Sequence, residues 1–424
     1  MFRKLNYFVL SIVTLVAVAG CEKSPPPNFR FNEVEWLKQE SPLGDEKFDV
    51  AYKTQIGSIM TALFGTPDEP KFPYFQGEED PSHEFIEFDN LKMAAGAVKS
   101  DKDGEPRGLY REHCAHCHGV TGDGAGPTAE LLNPYPRDFR LGKFKFKSTE
   151  LGQRPTDHDL RQVMENGIPG TAMPSFRTLP AEEIEALIHY VKYLSIRGQY
   201  ERYLIGEVGG LDEGMALIDK SLNMEPAEGE VSDDDREEFE EQVFGVIGDP
   251  LQETIIARWE NPDRKVTKIP DAPAMFDPKH QSHAQFVSEG RQLFFTKGNC
   301  ASCHGETGYG DGENSNFDDW TRDWINTVSD PTDASTYAHF LEAGALRPRT
   351  IMPRNLRLPV YRGGDHPSDI YLRIANGIEG TPMPSSNILT SDEKWKLVAY
   401  VRSLPYENPG LKPELPVNDK EIPQ

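Results

Sequence analysis

Cysteine is scarce in this chain: five serve 424 residues, and four of them fall in two short clusters. No further thiol remains to complete a zinc site beside either cluster. Positive charge is also short, with 45 Lys and Arg against 69 Asp and Glu and a formal net charge of −24. So acidic a body does not bind nucleic acid or anionic lipid through its overall field; it favours solubility and basic partners. Long apolar runs are missing after residue 20, which excludes a transmembrane helix from the rest of the sequence.

The two cysteine clusters are Cys114-Ala115-His116-Cys117-His118 and Cys300-Ala301-Ser302-Cys303-His304. Both spell C-x-x-C-H, the attachment site of c-type haem, in which two thiols bond one porphyrin and the histidine ligates its iron. A redox C-x-x-C needs no following histidine. More than the pentapeptide is repeated: residues 119–126 and 305–312 both read G-x-T-G-x-G-x-G. Cys114, Cys117, Cys300 and Cys303 are therefore expected to carry two covalently bound haem c groups, with His118 and His304 as proximal iron ligands.

Residues 1–20 read as a leader. Arg3 and Lys4 form a positive start, and Tyr7 to Ala19 is an apolar run too short to span a bilayer comfortably. It ends in Val18-Ala19-Gly20-Cys21, which resembles the lipobox of bacterial lipoproteins. That resemblance implies a lipidated Cys21 as the mature N-terminus and a protein tethered to the periplasmic side of a bacterial membrane. The proline run that follows, Pro25-Pro26-Pro27, suits an extended tether.

An internal repeat organises the remainder. Pro136-Arg137-Asp138-Phe139-Arg140-Leu141 pairs with Pro353-Arg354-Asn355-Leu356-Arg357-Leu358, and from Asn166 to Leu194 the two copies run at a constant offset of 210. Apolar residues at helical spacing predict a helix over Leu179–Leu194 and another over Leu389–Leu404, starting near Pro180 and Ser391. The expected organisation is a leader at 1–20, a tether and N-terminal extension at 21–93, unit one at 94–200, an acidic linker at 201–275, unit two at 276–408 and a tail at 409–424. Gln55–Phe64 reads as a short amphipathic helix. Within the linker, Glu225 to Glu241 carries ten acids in seventeen positions and is expected to be solvated; a helix is expected over Arg236–Ile247. Unit two holds 31 additional residues between its motif and Pro353, rich in aromatics (Trp320, Trp324, Tyr337, Phe340). They are expected to be ordered and to pack against unit one.

The motifs and their repeat resemble tandem class I cytochrome c modules, a dihaem c-type cytochrome. The resemblance implies a mainly α fold, with Gly108-Leu109-Tyr110 and Gly290-Arg291-Gln292-Leu293-Phe294 in the N-terminal helices that cross the C-terminal ones. It also supplies the sixth iron ligand, a methionine in a G-x-x-M-P loop. Gly170-Thr171-Ala172-Met173-Pro174 and Gly380-Thr381-Pro382-Met383-Pro384 match, which makes Met173 and Met383 the distal ligands. Met352, also before a proline, has no counterpart in the ligand loop of unit one and ranks below Met383. Arg137 and Arg354 are the expected partners of haem propionates; Arg140, Lys143, Lys145, Lys147 and Arg154 suit a solvated face or a docking patch. His158, His189, His339 and His366 have no repeat counterpart and are read as structural.

The implied function is electron transfer between redox partner proteins, with no catalysis of its own, since a His/Met iron leaves no open position. A subunit of a membrane respiratory complex is compatible with this. The alternative is a dihaem peroxidase or another haem oxidoreductase, which needs one open haem.

Overall fold

The computed structural model describes residues 27–43, 48–73, 86–100, 106–211, 215–217, 251–312 and 316–407. The leader, Cys21, the acidic run 225–241, the helix expected over 236–247 and the tail from 409 lie outside the described residues. The fold is mainly α-helical, as expected. Its one paired ladder among the described residues joins Lys99–Ser100 to Pro106–Arg107, antiparallel.

The N-terminal extension forms α1 (Glu33–Leu43) and α2 (Val50–Phe64). The extension ends in α3 (Phe88–Ala94), and unit one follows with α4 (Leu109–His113), α5 (Ala115–His118), α6 (Asp157–Asn166) and α7 (Ala181–Gly210), which runs on past the expected boundary at 200. After a π-helical turn at Leu251–Ile256 and α8 (Ala257–Glu260), unit two begins. It contains α9 (His283–Phe295), α10 (Ala301–His304), α11 (Asp319–Ile325), α12 (Ala338–Glu342), α13 (Pro367–Asn376) and α14 (Ser391–Ser403).

The helix starts are legible in their caps. Thr156 and Asp159 close a reciprocal capping box on α6, and Thr390 and Glu393 do so on α14. Thr390 is therefore the cap, and Ser391 is the first helical residue. α7 starts after Pro180 with Glu182 and Glu183 in its first turn, where negative charge meets the free amide ends.

α7 runs far beyond its expected end at Leu194. Its 30 residues span about 45 Å. Tyr200, Leu204, Ile205 and Val208 are buried on the added half. The cause is the N-terminal extension, which gives the helix a second partner. Trp36, Phe48, Ile56, Ile59, Phe64, Tyr193 and Tyr200 belong to one continuous core with unit one, joined by Trp259 from the segment between the units. Phe64 lies 6.1 Å from both Tyr193 and Tyr200.

In unit two α9 crosses α14 as the resemblance implied. Phe286, Gly290 and Phe294 form the buried stripe of α9. A Cβ on Gly290 would stand 2.0 Å from the Lys396 carbonyl, so only glycine lets the backbones approach this closely. In unit one the arrangement differs from expectation. Gly108 is not helical (φ 78°), and a Cβ there would meet the Ala97 backbone at 2.6 Å. The helix packed across α7 is α3, through Leu91 and Ala94. Two short helices, α3 and α4, therefore precede the motif of unit one, with the Lys99–Ser100 and Pro106–Arg107 ladder lying between them in sequence.

The aromatic addition to unit two packs against unit one and the extension. The Trp320 indole donates to the Pro136 carbonyl at 3.1 Å, Tyr135 donates to the Arg347 carbonyl at 3.1 Å, and the Arg349 guanidinium lies 3.9 Å over the Tyr135 ring. Trp324 and Phe340 close on Val34 of α1. Arg202 on α7 joins all three parts, reaching Glu35 of α1 at 2.6 Å and Asp323 of α11 at 3.0 Å.

Candidate haem sites

Each C-x-x-C-H motif forms a single helical turn. Cys114 precedes α5 and Cys300 precedes α10, and the histidine closes each turn: the His118 and His304 amides donate to the Cys114 and Cys300 carbonyls at 2.9 Å. Positions i, i+3 and i+4 share one helix face, so both thiols and the imidazole address the same side. The glycines that follow explain the longer repeat. Gly119 (φ 74°) and Gly305 (φ 76°) need the left-handed region, and a Cβ on either would meet an Asp123 or Asp311 oxygen at 2.3 or 2.0 Å. Gly124 and Gly310 then donate back to the His118 and His304 carbonyls at 2.9 Å. The loop thus wraps the histidine's own backbone.

The imidazoles are oriented in the same way. Nδ1 of His118 lies 3.0 Å from the Arg137 carbonyl, and Nδ1 of His304 lies 3.0 Å from the Arg354 carbonyl. A carbonyl only accepts, so each Nδ1 carries the proton and Nε2 presents its lone pair. Burial pushes His118 down to about 4, against the pull of its bond to Arg137, and lowers His304 likewise. Burial thus favours the neutral ring at both positions, the form that ligates a metal. Phe139 stacks on His118 at 4.6 Å and 14°. Burial also raises Cys114 to about 12 and Cys300 to about 11.

The methionine loops match bond for bond. Ile168 donates to the Met173 carbonyl and Ile378 to the Met383 carbonyl, both at 3.1 Å. Thr171 and Thr381 hydroxyls donate to the Ile168 and Ile378 carbonyls at 2.8 Å and accept from the Met173 and Met383 amides at 3.2 Å. The threonine of G-T-x-M-P is therefore the pin that holds the loop. Gly167 (φ 64°) and Gly377 (φ 70°) turn the chain against the Met173 and Met383 carbonyls, which a Cβ would meet at 2.7 and 2.6 Å.

Both methionines are half-buried and belong to neither unit's core cluster, whereas Met352 is 60% exposed. All four motif cysteines are free thiols at intermediate burial. Two free thiols, a neutral imidazole with Nδ1 occupied and a loop-borne thioether fit the donor set of haem c in each unit.

Other expectations fare differently. Arg140, Lys147 and Arg154 are buried, not a solvated face. Arg140 pairs with Asp138 at 2.9 Å, Arg154 donates to the Gly142 carbonyl at 2.5 Å, and Lys147 pairs with Glu379. Their charge is spent on internal partners. The Arg354 guanidinium donates to the Val360 carbonyl at 2.8 Å. His189 accepts from the Glu87 amide at 2.9 Å, and His366 caps α13, both structural as read. Sequence reasoning missed the role of Pro-Arg-x-x-Arg-Leu. Its working atom toward the histidine is a main-chain carbonyl, which no side-chain pattern reveals.

Fold and sites together define a tandem arrangement of c-type cytochrome domains. Residues 102–191 match the family model described as cytochrome c oxidase, cbb3-type, subunit III, and residues 287–405 match that of cytochrome c. The chain thus carries two cytochrome c domains, which implies covalently bound haem c and haem-based electron transfer. No curated protein matches the chain. A solved chain of the reducing HAO-like protein complex Kustc0457/Kustc0458 of Kuenenia stuttgartiensis is similar at 23% identity and TM-score 0.43; the match covers 73% of this chain and 99% of that one. No helix among the described residues is long and apolar enough to cross a membrane.

Proposed function

We propose that this protein is an exported, lipid-anchored dihaem cytochrome that passes electrons between redox partner proteins. Cys114 and Cys117 hold one porphyrin, and His118 and Met173 ligate its iron. Cys300 and Cys303 hold the other, with His304 and Met383 as ligands. The observation that carries this reading is the sameness of the two sites. Both histidines are fixed through Nδ1 by the same repeat carbonyl, and both methionine loops have the same internal bonds.

When bound, each haem supplies an iron that takes up and releases one electron. The chain's residues set the rest. The Arg137 and Arg354 carbonyls fix the imidazole planes and make the rings better donors. The Met173 and Met383 thioethers would ligate the irons, which would raise their potentials and leave no open position for a substrate. The negative overall charge suits partners with a basic docking face.

Two haems per chain are expected to survive denaturing extraction with acid acetone, with the colour remaining on the protein. Passage of haem into the organic phase would refute covalent attachment. Cys21→Ser is expected to release the cytochrome from the membrane fraction or to leave it unprocessed. An intact mass showing an unmodified Cys21 would remove the anchor.

A further inference from the structure

The two methionine loops are copies of each other, but their surroundings are not. Asn166 is exposed, and its amide donates to Gln162 on its own helix at 2.9 Å. The matching Asn376 is 8% exposed. Its amide donates to the carbonyls of Ser148 (3.2 Å) and Thr149 (3.0 Å) in unit one, and its oxygen accepts from Thr267 in the segment between the units at 2.8 Å. The next informative mismatch is Pro169 against Glu379. Pro169 is exposed, whereas Glu379 forms an ion pair with Lys147 of unit one.

The surface that receives the second loop is itself fixed. Lys147 is 5% exposed and also donates to the Glu150 carbonyl at 3.2 Å. Arg373 of α13 donates to the Lys147 carbonyl, and Thr267 donates through its amide to the Ser148 carbonyl at 3.0 Å. Glu379 directly precedes Gly380 (φ 74°), and the Thr381 pin ties Ile378 to Met383. A displacement of Glu379 is therefore carried to the methionine. Around the first loop, unit two places the Arg354 guanidinium and Val360 beside Gly170, where an added Cβ would stand 3.7 and 3.8 Å from them.

We propose that Lys147 and Glu379 are positioning residues for the sixth ligand of unit two. Unit one holds the Met383 loop closed through this buried pair and the Asn376 clamp, whereas the Met173 loop has an exposed Pro169 in place of Glu379 and meets unit two beside Gly170 by side-chain packing of Arg354 and Val360 rather than by an ion pair at that position. Loosening the contact between units would then free the Met383 loop, and not the Met173 loop, to withdraw its thioether from the haem it would ligate. A buried pair suits such a role because losing one partner leaves an uncompensated charge, so the contact is either made or strongly disfavoured. The inference rests on Met383 as iron ligand.

The test uses the full haem-loaded protein and two readouts: carbon monoxide binding to the ferrous form and a redox titration that resolves both haems. Lys147→Met is expected to raise the carbon monoxide affinity of one haem by roughly tenfold or more, since breaking a buried pair is worth more than that factor. The potential of that same haem should shift while the other stays in place, and it should be the haem that Met383→Ala opens. Lys147→Arg should restore the closed state. If Lys147→Met does not fold, Lys147→Met with Glu379→Gln decides, because it removes the clamp without leaving a lone charge; opening of the second haem supports the proposal, and two closed haems overturn it. Closed haems in Lys147→Met, with Met383→Ala opening one, overturn the interlock and leave the ligation intact. If Met383→Ala opens neither haem, the ligation itself fails and the interlock with it.

Discussion

Neither ferrous haem of the intact protein should bind carbon monoxide readily at neutral pH, and Met173→Ala or Met383→Ala should each admit one equivalent. Each substitution removes the thioether from a loop whose other bonds are main-chain and threonine contacts, so the loop stays in place while the iron opens. The affected potential should fall on the order of tenths of a volt, because axial ligands command a range of about 0.8 V and methionine lies toward its upper part. Optical titration under carbon monoxide reads both effects. The same measurement separates a carrier from an enzyme. An unmutated protein that binds carbon monoxide at one haem and turns over peroxide would replace electron transfer with catalysis.

The second large effect is mechanical. Gly290→Val should destabilise unit two by about 3 kcal/mol, at the upper end for overpacking. The new side chain meets the Lys396 carbonyl, where a Cβ alone would stand at 2.0 Å, and Tyr400 at 3.0 Å. Two helix backbones have to separate, and the Phe294–Tyr400 contact at 5.4 Å is lost with them. A fall in the thermal midpoint on the order of 10 °C is expected for a unit of this size, followed by Soret circular dichroism. A variant that melts with the parent protein would show that this crossing does not limit stability.

The sites were more legible than the scaffold around them, and the reason is distance along the chain. The C-x-x-C-H turn, the glycines behind it and the G-T-x-M-P loop each act within a few residues, through φ angles and hydrogen bonds that residue type alone dictates. Repetition then made each pattern specific. The carbonyls of Arg137 and Arg354 were hidden because a backbone acceptor has no residue signature.

The sequence by itself determined that this chain has two C-x-x-C-H units, each paired with a matching methionine loop, and its resemblance to tandem cytochrome c modules implied the mainly helical fold. Tertiary structure alone decided what the spare lengths are for. The extension at 29–93 had no readable chemistry, yet it buries the second half of α7 and doubles the helix the repeat had predicted. Apolar spacing reports that a face is buried, not by what, so a partner more than a hundred residues away remains invisible. The same limit concealed the asymmetry of the two loops. Asn166 and Asn376 are one residue type at one repeat position, and only the packing of unit two on residues 147–149 makes the first a surface amide and the second a buried clamp. Lys147, read from sequence as one charge among several, becomes half of a buried pair for the same reason: its partner Glu379 is brought to it by the fold.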